Sequence, residues 1–143
     1  MDYLQNLTIL REAISNAPPE RIDLWDWNGG CGTVYCAAGV AATLPFFQNL
    51  GLKTRTDGSP YMYGPTDGDT SADRALNALF LPFPVSIDAD STVAYDYIFT
   101  SPGQGRWDQK ILNNGDLSDQ DLALARLDIA IMNWKFAAKN RSN

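Results

Sequence analysis

The sequence predicts a predominantly α-helical α+β domain, on three observations. Apolar residues recur at helical spacing near both ends of the chain. Between them lies a stretch of small apolar residues bounded by glycines and prolines, and after it an Asp57-Gly58 dipeptide is flanked by short β-forming segments. The expected arrangement is a central apolar helix surrounded by amphipathic helices, with a small β-hairpin on the rim.

The first helix is expected from Tyr3 to about Asn16. Asp2 is its N-cap, Gln5 reaches back to the cap, and Leu4, Leu7, Leu10, Ile14 and Ala17 share one face before Pro18-Pro19 ends it. Trp25 and Trp27 follow at alternate positions, which sets both rings on one side of an extended segment. Asn28-Gly29-Gly30 is a loop, and from Gly32 to about Phe46 the chain is apolar almost all round, the pattern of a buried helix.

Leu52–Thr56 and Ser59–Tyr63 flank Asp57-Gly58, which suits a two-residue type I′ turn and places Tyr61 and Tyr63 on one face of the hairpin. Thr70-Ser-Ala-Asp73 is a capping box for a helix running through Ala75, Leu76, Leu79 and Phe80, stopped by Pro82 and Pro84. A short helix is expected over about Ser91–Phe99. The loop Ser101-Pro-Gly-Gln-Gly105 then leads into Trp107–Leu112. Ser118-Asp-Gln-Asp121 caps the last helix, an amphipathic run through Leu122, Ala125, Leu127, Ile129, Ile131, Met132 and Trp134.

Composition narrows the function. At 143 residues the chain suits one domain, 1–143. A net charge of −6 disfavours a broad cationic face for duplex nucleic acid, and the acids form no run that would imitate one. Met1-Asp-Tyr-Leu-Gln5 lacks the basic start and apolar core of a secretory signal, so a cytoplasmic location and no membrane partner are expected. Cys31 and Cys36 are the only cysteines, too far apart along a helix for a disulfide, so reduced thiols are expected. With no histidine in the chain, two cysteines fall short of a structural zinc site, and neither a metal nor a cofactor is expected.

Several motifs together resemble a widespread group of small, uncharacterised bacterial and phage proteins. The residues that carry the resemblance are Ile22-Asp23-Leu24, Trp27, Cys31-Gly32-Thr33, Cys36-Ala37-Ala38-Gly39, Ile98-Phe99 and Arg126-Leu127-Asp128. The chain differs from that group in having Val40 where an aromatic residue or histidine is frequent, and in the tyrosine-rich hairpin. The resemblance implies an accessory protein of a phage or mobile element, acting in a bacterial host cytoplasm, and it implies no reaction.

Two kinds of site compete. Cys31 before a helix has the look of a nucleophile, but a thiolate near neutral pH needs a base or cation, and a Cys–His pair is impossible here. Gly30, Gly32 and Thr33 offer backbone donors suited to an anion, although no Lys follows Gly32-Thr33 as in a phosphate-binding loop. Trp25, Trp27, Tyr35, Tyr61, Tyr63 and Trp107 could form an aromatic wall that stacks on a base or sugar while Lys53, Arg55 or Arg106 engages a phosphate, with Trp27 better read as core. The reading is therefore a non-catalytic binding protein whose partner is a small, nucleotide-like anion or a host protein. Its alternatives are a Cys31-dependent hydrolase or transferase, and a homo-oligomer assembled through the tyrosine hairpin.

Overall fold

The computed structural model describes residues 2–25, 36–55, 59–64, 68–69, 72–84 and 93–141. Helix α1, Tyr3–Asn16, starts where Asp2 accepts the Gln5 amide at 2.9 Å, and it buries Leu7, Leu10 and Ile14 along the expected stripe. It also buries Asn6, whose side-chain amide donates to the Leu79 carbonyl at 2.9 Å. A buried amide without that partner would be costly, so this bond pins α1 to the helix that carries Leu79.

Helix α2 spans Ala37–Thr43 and α3 spans Pro45–Asn49. The helix expected from Gly32 to Phe46 is thus interrupted at Cys36 and Leu44, and its first part, 32–35, lies outside the described residues. Cys36 is extended and caps α2, its sulfur accepting the Gly39 amide at 3.3 Å, so this helix begins at Ala37. Leu44 is extended because it precedes a proline, and Pro45 then opens α3, where its missing N–H is harmless. The all-round apolar pattern is nevertheless that of a core helix: Ala37, Ala38, Gly39, Val40 and Ala41 are all buried.

Strands β1, Lys53–Thr54, and β2, Pro60–Tyr61, pair antiparallel with Lys53 opposite Tyr61 and Thr54 opposite Pro60. The Arg55 amide closes the pair on the Ser59 carbonyl at 2.8 Å. A two-residue turn at Asp57-Gly58 would have set Thr56 opposite Ser59; the observed register is shifted by one residue and leaves 56–58 as a three-residue connection. The turn residues themselves lie outside the described residues. Strands β3, Tyr63–Gly64, and β4, Gly68–Asp69, form a separate antiparallel pair. Tyr61 and Tyr63 therefore belong to two different strand pairs, and the expected single face is divided at Met62.

Helix α4 spans Ala72–Phe80 and buries Ala75, Leu76, Leu79 and Phe80. Its expected cap at Thr70 and Ser71 falls outside the described residues. A π-helical turn, Tyr95–Phe99, occupies part of the helix expected over 91–99, and α5, Asp108–Ile111, continues into a 3₁₀ turn, Leu112–Asn114. Helix α6, Asp119–Arg141, is the longest, and the Ser118 hydroxyl accepts the Asp121 amide at its start.

Helix α1 is the hub, packing on α6, α2 and α4, while α2 bears on α3 and the β1–β2 pair. Phe47, Phe80 and Phe99 interlock at the centre, with ring centroids 4.9 and 5.4 Å apart. Gln120 of α6 donates to the carbonyls of Ile14 and Ala17, which satisfies the C-terminal end of α1 and ties the two helices together. Among the described residues, no helix is long and apolar enough to cross a membrane.

Candidate functional site

Among the described residues, the best-organised polar construction joins α6 to the loop that precedes α5. Arg126 and Asp108 are both fully buried. Arg126 donates its Nε to Asp108 Oδ1 at 2.8 Å, one Nη2 hydrogen to Asp108 Oδ2, the other to the Ser101 carbonyl at 3.2 Å, and Nη1 to the carbonyls of Ile98 and Thr100 at 3.0 and 2.7 Å. All five guanidinium donors are satisfied, and the fork geometry is one that only arginine supplies. Asp108 Oδ2 also accepts the amides of Gly103 and Gly105 at 3.0 and 3.1 Å.

These bonds define the course of the chain from Ile98 to Asp108. Gly103 supplies the left-handed conformation, φ +84°, that the turn requires. Gly105 is buried so closely against the ion pair that an added Cβ would stand 2.7 Å from Asp108 Oδ1 and 3.0 Å from Arg126 Nη2. Gly105→Ala is therefore expected to destabilise the fold by about 1–3 kcal/mol in urea unfolding; wild-type stability would mean that the loop yields at little cost.

On the outer side of this braced loop stands an aromatic corner. Tyr97, from the π-helical turn, and Trp107, at the entrance to α5, lie with centroids 4.7 Å apart, and Phe83 meets the Tyr97 ring edge-on at 5.1 Å. Each of the three is half-buried. The π-helical turn widens the helix by an extra residue per hydrogen-bonded turn, a distortion frequent at functional sites, and Tyr97 of this turn lies in the cluster. Arg106, next to Trp107, is exposed, and its backbone amide donates to the Asp96 carbonyl at 3.0 Å, which fixes the base of the side chain. The cluster thus combines half-buried aromatic rings with an exposed arginine one residue before Trp107, on a backbone held by the saturated Arg126–Asp108 pair.

Of the residues expected from the sequence, the structure puts Trp107 in this cluster, with exposed Arg106 next to it in sequence, and places Arg55 and Tyr61 together on the β1–β2 hairpin. There the Arg55 guanidinium lies 4.7 Å from the Tyr61 ring centroid and also donates to the Pro60 carbonyl at 3.3 Å. Trp25 is 66% exposed, at a turn where Asp23 accepts its amide and Asp119 accepts that of Leu24. Gly30, Cys31, Gly32 and Thr33 lie outside the described residues, as does the side chain of Tyr63. Cys36 is buried and serves as the α2 cap, the role of a packing residue.

Sequence reading missed Phe83, Tyr97, Asp108 and Arg126 as parts of one construction. Arg126 interrupts the apolar run of α6 at a core-facing position, and that interruption was the available signal for a buried partner. The Arg126-Leu127-Asp128 motif acquires a physical account: Arg126 braces the loop, Leu127 is fully buried, and Asp128 accepts Arg11 Nε of α1 at 2.6 Å on the surface. Comparison with protein-family models, curated proteins and solved structures gives no match to this chain.

Proposed function

We propose that this protein is a non-catalytic binding protein that recognises a planar, anionic ligand, of which a nucleotide is the model, at the corner formed by Phe83, Tyr97, Arg106 and Trp107. The observation that carries the reading is the pairing of half-buried Tyr97 and Trp107 rings with exposed Arg106 on a loop braced by Arg126 and Asp108. Aromatic faces stack on a base regardless of its identity, and a guanidinium adds a charge-assisted bond to phosphate. Because the loop is already ordered, little entropy is lost on binding. An accessory role for a phage or mobile element, toward a component of the bacterial host, belongs to the same proposal and follows from the resemblance of the motifs.

A panel of mononucleotides, dinucleotides and sugar phosphates in a thermal-shift assay tests the reading. A true ligand at about a hundred times its dissociation constant stabilises the fold by about 2.7 kcal/mol. Arg106→Ala, at an exposed position, is expected to weaken binding about tenfold while the unliganded melting temperature stays at the wild-type value. Trp107→Ala is expected to abolish the shift. A panel without a shift, or a shift that survives both substitutions, would remove the corner as the recognition site.

A further inference from the structure

Helix α6 carries apolar residues on two faces. One, with Leu122, Leu127, Ala130 and Ile131, faces the core. The other follows the spacing Ala125, Ile129, Met132, Phe136, alternating steps of four and three residues, and faces outward: Ala125 and Ile129 are half-exposed, Met132 is 66% exposed and Phe136 67%. Steps of four and three are the seam of one helix packing on another. Among the described residues, nothing packs over these two large side chains, Met132 and Phe136.

The charges beside the stripe say what fits it. Asp121 is exposed at the N-terminal end, Lys139 at the C-terminal end, and Asp128 and Lys135 lie between them along the same edge. From these we infer that the stripe is a contact between two copies of this chain, with their α6 helices antiparallel. In that arrangement Ala125 meets Phe136 of the second copy, a small residue against a large one, and Ile129 meets Met132. In the same register Asp121 comes within one residue of the level of Lys139 and Asp128 within two of Lys135, offsets of about 1.5 and 3 Å that a lysine side chain can span. A parallel arrangement would place this charged edge of the two helices on opposite sides of the contact, and neither acid–lysine pairing would form. Asp128 keeps its bond to Arg11 and, being 51% exposed, has room for a second cation. The contact is isologous, each pair occurring twice about a two-fold axis.

A single helix pair is at the small end of specific interfaces, so the dimer is weak, with a dissociation constant on the order of 10–100 µM. Sedimentation velocity across about 5–500 µM brackets that range. The wild type is expected to shift from monomer to dimer over that range. Phe136→Lys should weaken association at least tenfold, Lys139→Glu alone should weaken it severalfold, and Asp121→Lys combined with Lys139→Glu should restore it. These positions are exposed, so circular dichroism and melting temperature should stay at wild-type values. A wild type that remains monomeric, a dimer indifferent to Phe136→Lys, or a double charge swap no better than the single one would each overturn the inference.

Discussion

Asp108→Asn should lower stability at neutral pH by about 3–5 kcal/mol, the cost of leaving a buried guanidinium without its counter-charge. For a chain of this size that corresponds to a fall in melting temperature of roughly 10–15 °C. The substitution keeps the shape of the side chain, but the amide nitrogen now faces Arg126 Nε or Nη2, and the remaining carbonyl oxygens of Ile98, Thr100 and Ser101 cannot neutralise the charge. Replacing both partners by apolar residues, Asp108→Leu with Arg126→Met, should cost clearly less than the sum of the single changes, because no buried charge is then stranded. Equal, additive losses in urea unfolding would show that the two side chains do not act as a unit.

The same pair predicts a pH dependence. Burial by itself pushes the Asp108 carboxyl up, but the hydrogen bonds and charge of Arg126 and the amides of Gly105 and Gly103 outweigh it and hold the group below the usual carboxylate range. A carboxylate depressed in the folded state contributes stability that is fully present above its unfolded value, about 3.9, and is lost as pH falls through its folded value. The difference in stability between wild type and Asp108→Asn should therefore stay constant near neutrality and shrink only below about pH 4. The Arg11–Asp128 pair, with side chains 38% and 51% exposed, should contribute less than about 1 kcal/mol and be sensitive to salt.

The second large effect is expected at the aromatic centre. Phe80 is fully buried and meets both Phe47 and Phe99, so Phe80→Ala removes one ring from contacts with α3 and the π-helical turn at once. A loss of about 3–5 kcal/mol is expected, from lost transfer energy and from a cavity that the other two rings can only partly close. Phe136→Ala, at an exposed site, should change monomer stability by no more than about 0.5 kcal/mol. The contrast separates burial from residue type, and a Phe80→Ala loss under about 1 kcal/mol would mean that the core collapses into the space. The binding-corner variants depend on this centre being intact, since Phe99 ends the π-helical turn that carries Tyr97.

Helix existence and helix caps were the parts most open to reading. Asp2 and Ser118 act through bonds over three residues, so the information is local, and both caps form as the spacing implies. The leucines of α1 likewise reveal their buried stripe, because one periodicity governs it. Helix α6 defeats the same reading, since Met132 belongs with Ala125 and Ile129 on the outer face, and a run of apolar residues does not say how many faces it covers. At the hairpin Tyr63 pairs with β4 instead of continuing β2, so the two tyrosines fall in separate strand pairs, a choice of partner that no local spacing reveals. Of the expected site residues, Trp107 falls in the aromatic cluster with Arg106 next to it in sequence, whereas Arg55 and Tyr61 lie together on the hairpin.

Local sequence specified a predominantly helical fold with one small β-hairpin, the start of α1 and α6, and the apolar stretch that becomes α2; the second strand pair, β3–β4, came from the structure. The locally specified features follow from interactions spanning a few residues, where side-chain type and spacing suffice. The tertiary structure decided that Arg126 and Asp108 form one saturated buried pair, that the loop between Ile98 and Asp108 is braced by it, and that Tyr97, Trp107 and Phe83 gather on its outer side. It also decided which face of α6 remains uncovered. Those outcomes depend on elements distant in sequence meeting across a packed core, where a buried charge must find its partner and an exposed stripe is defined only by what fails to pack against it.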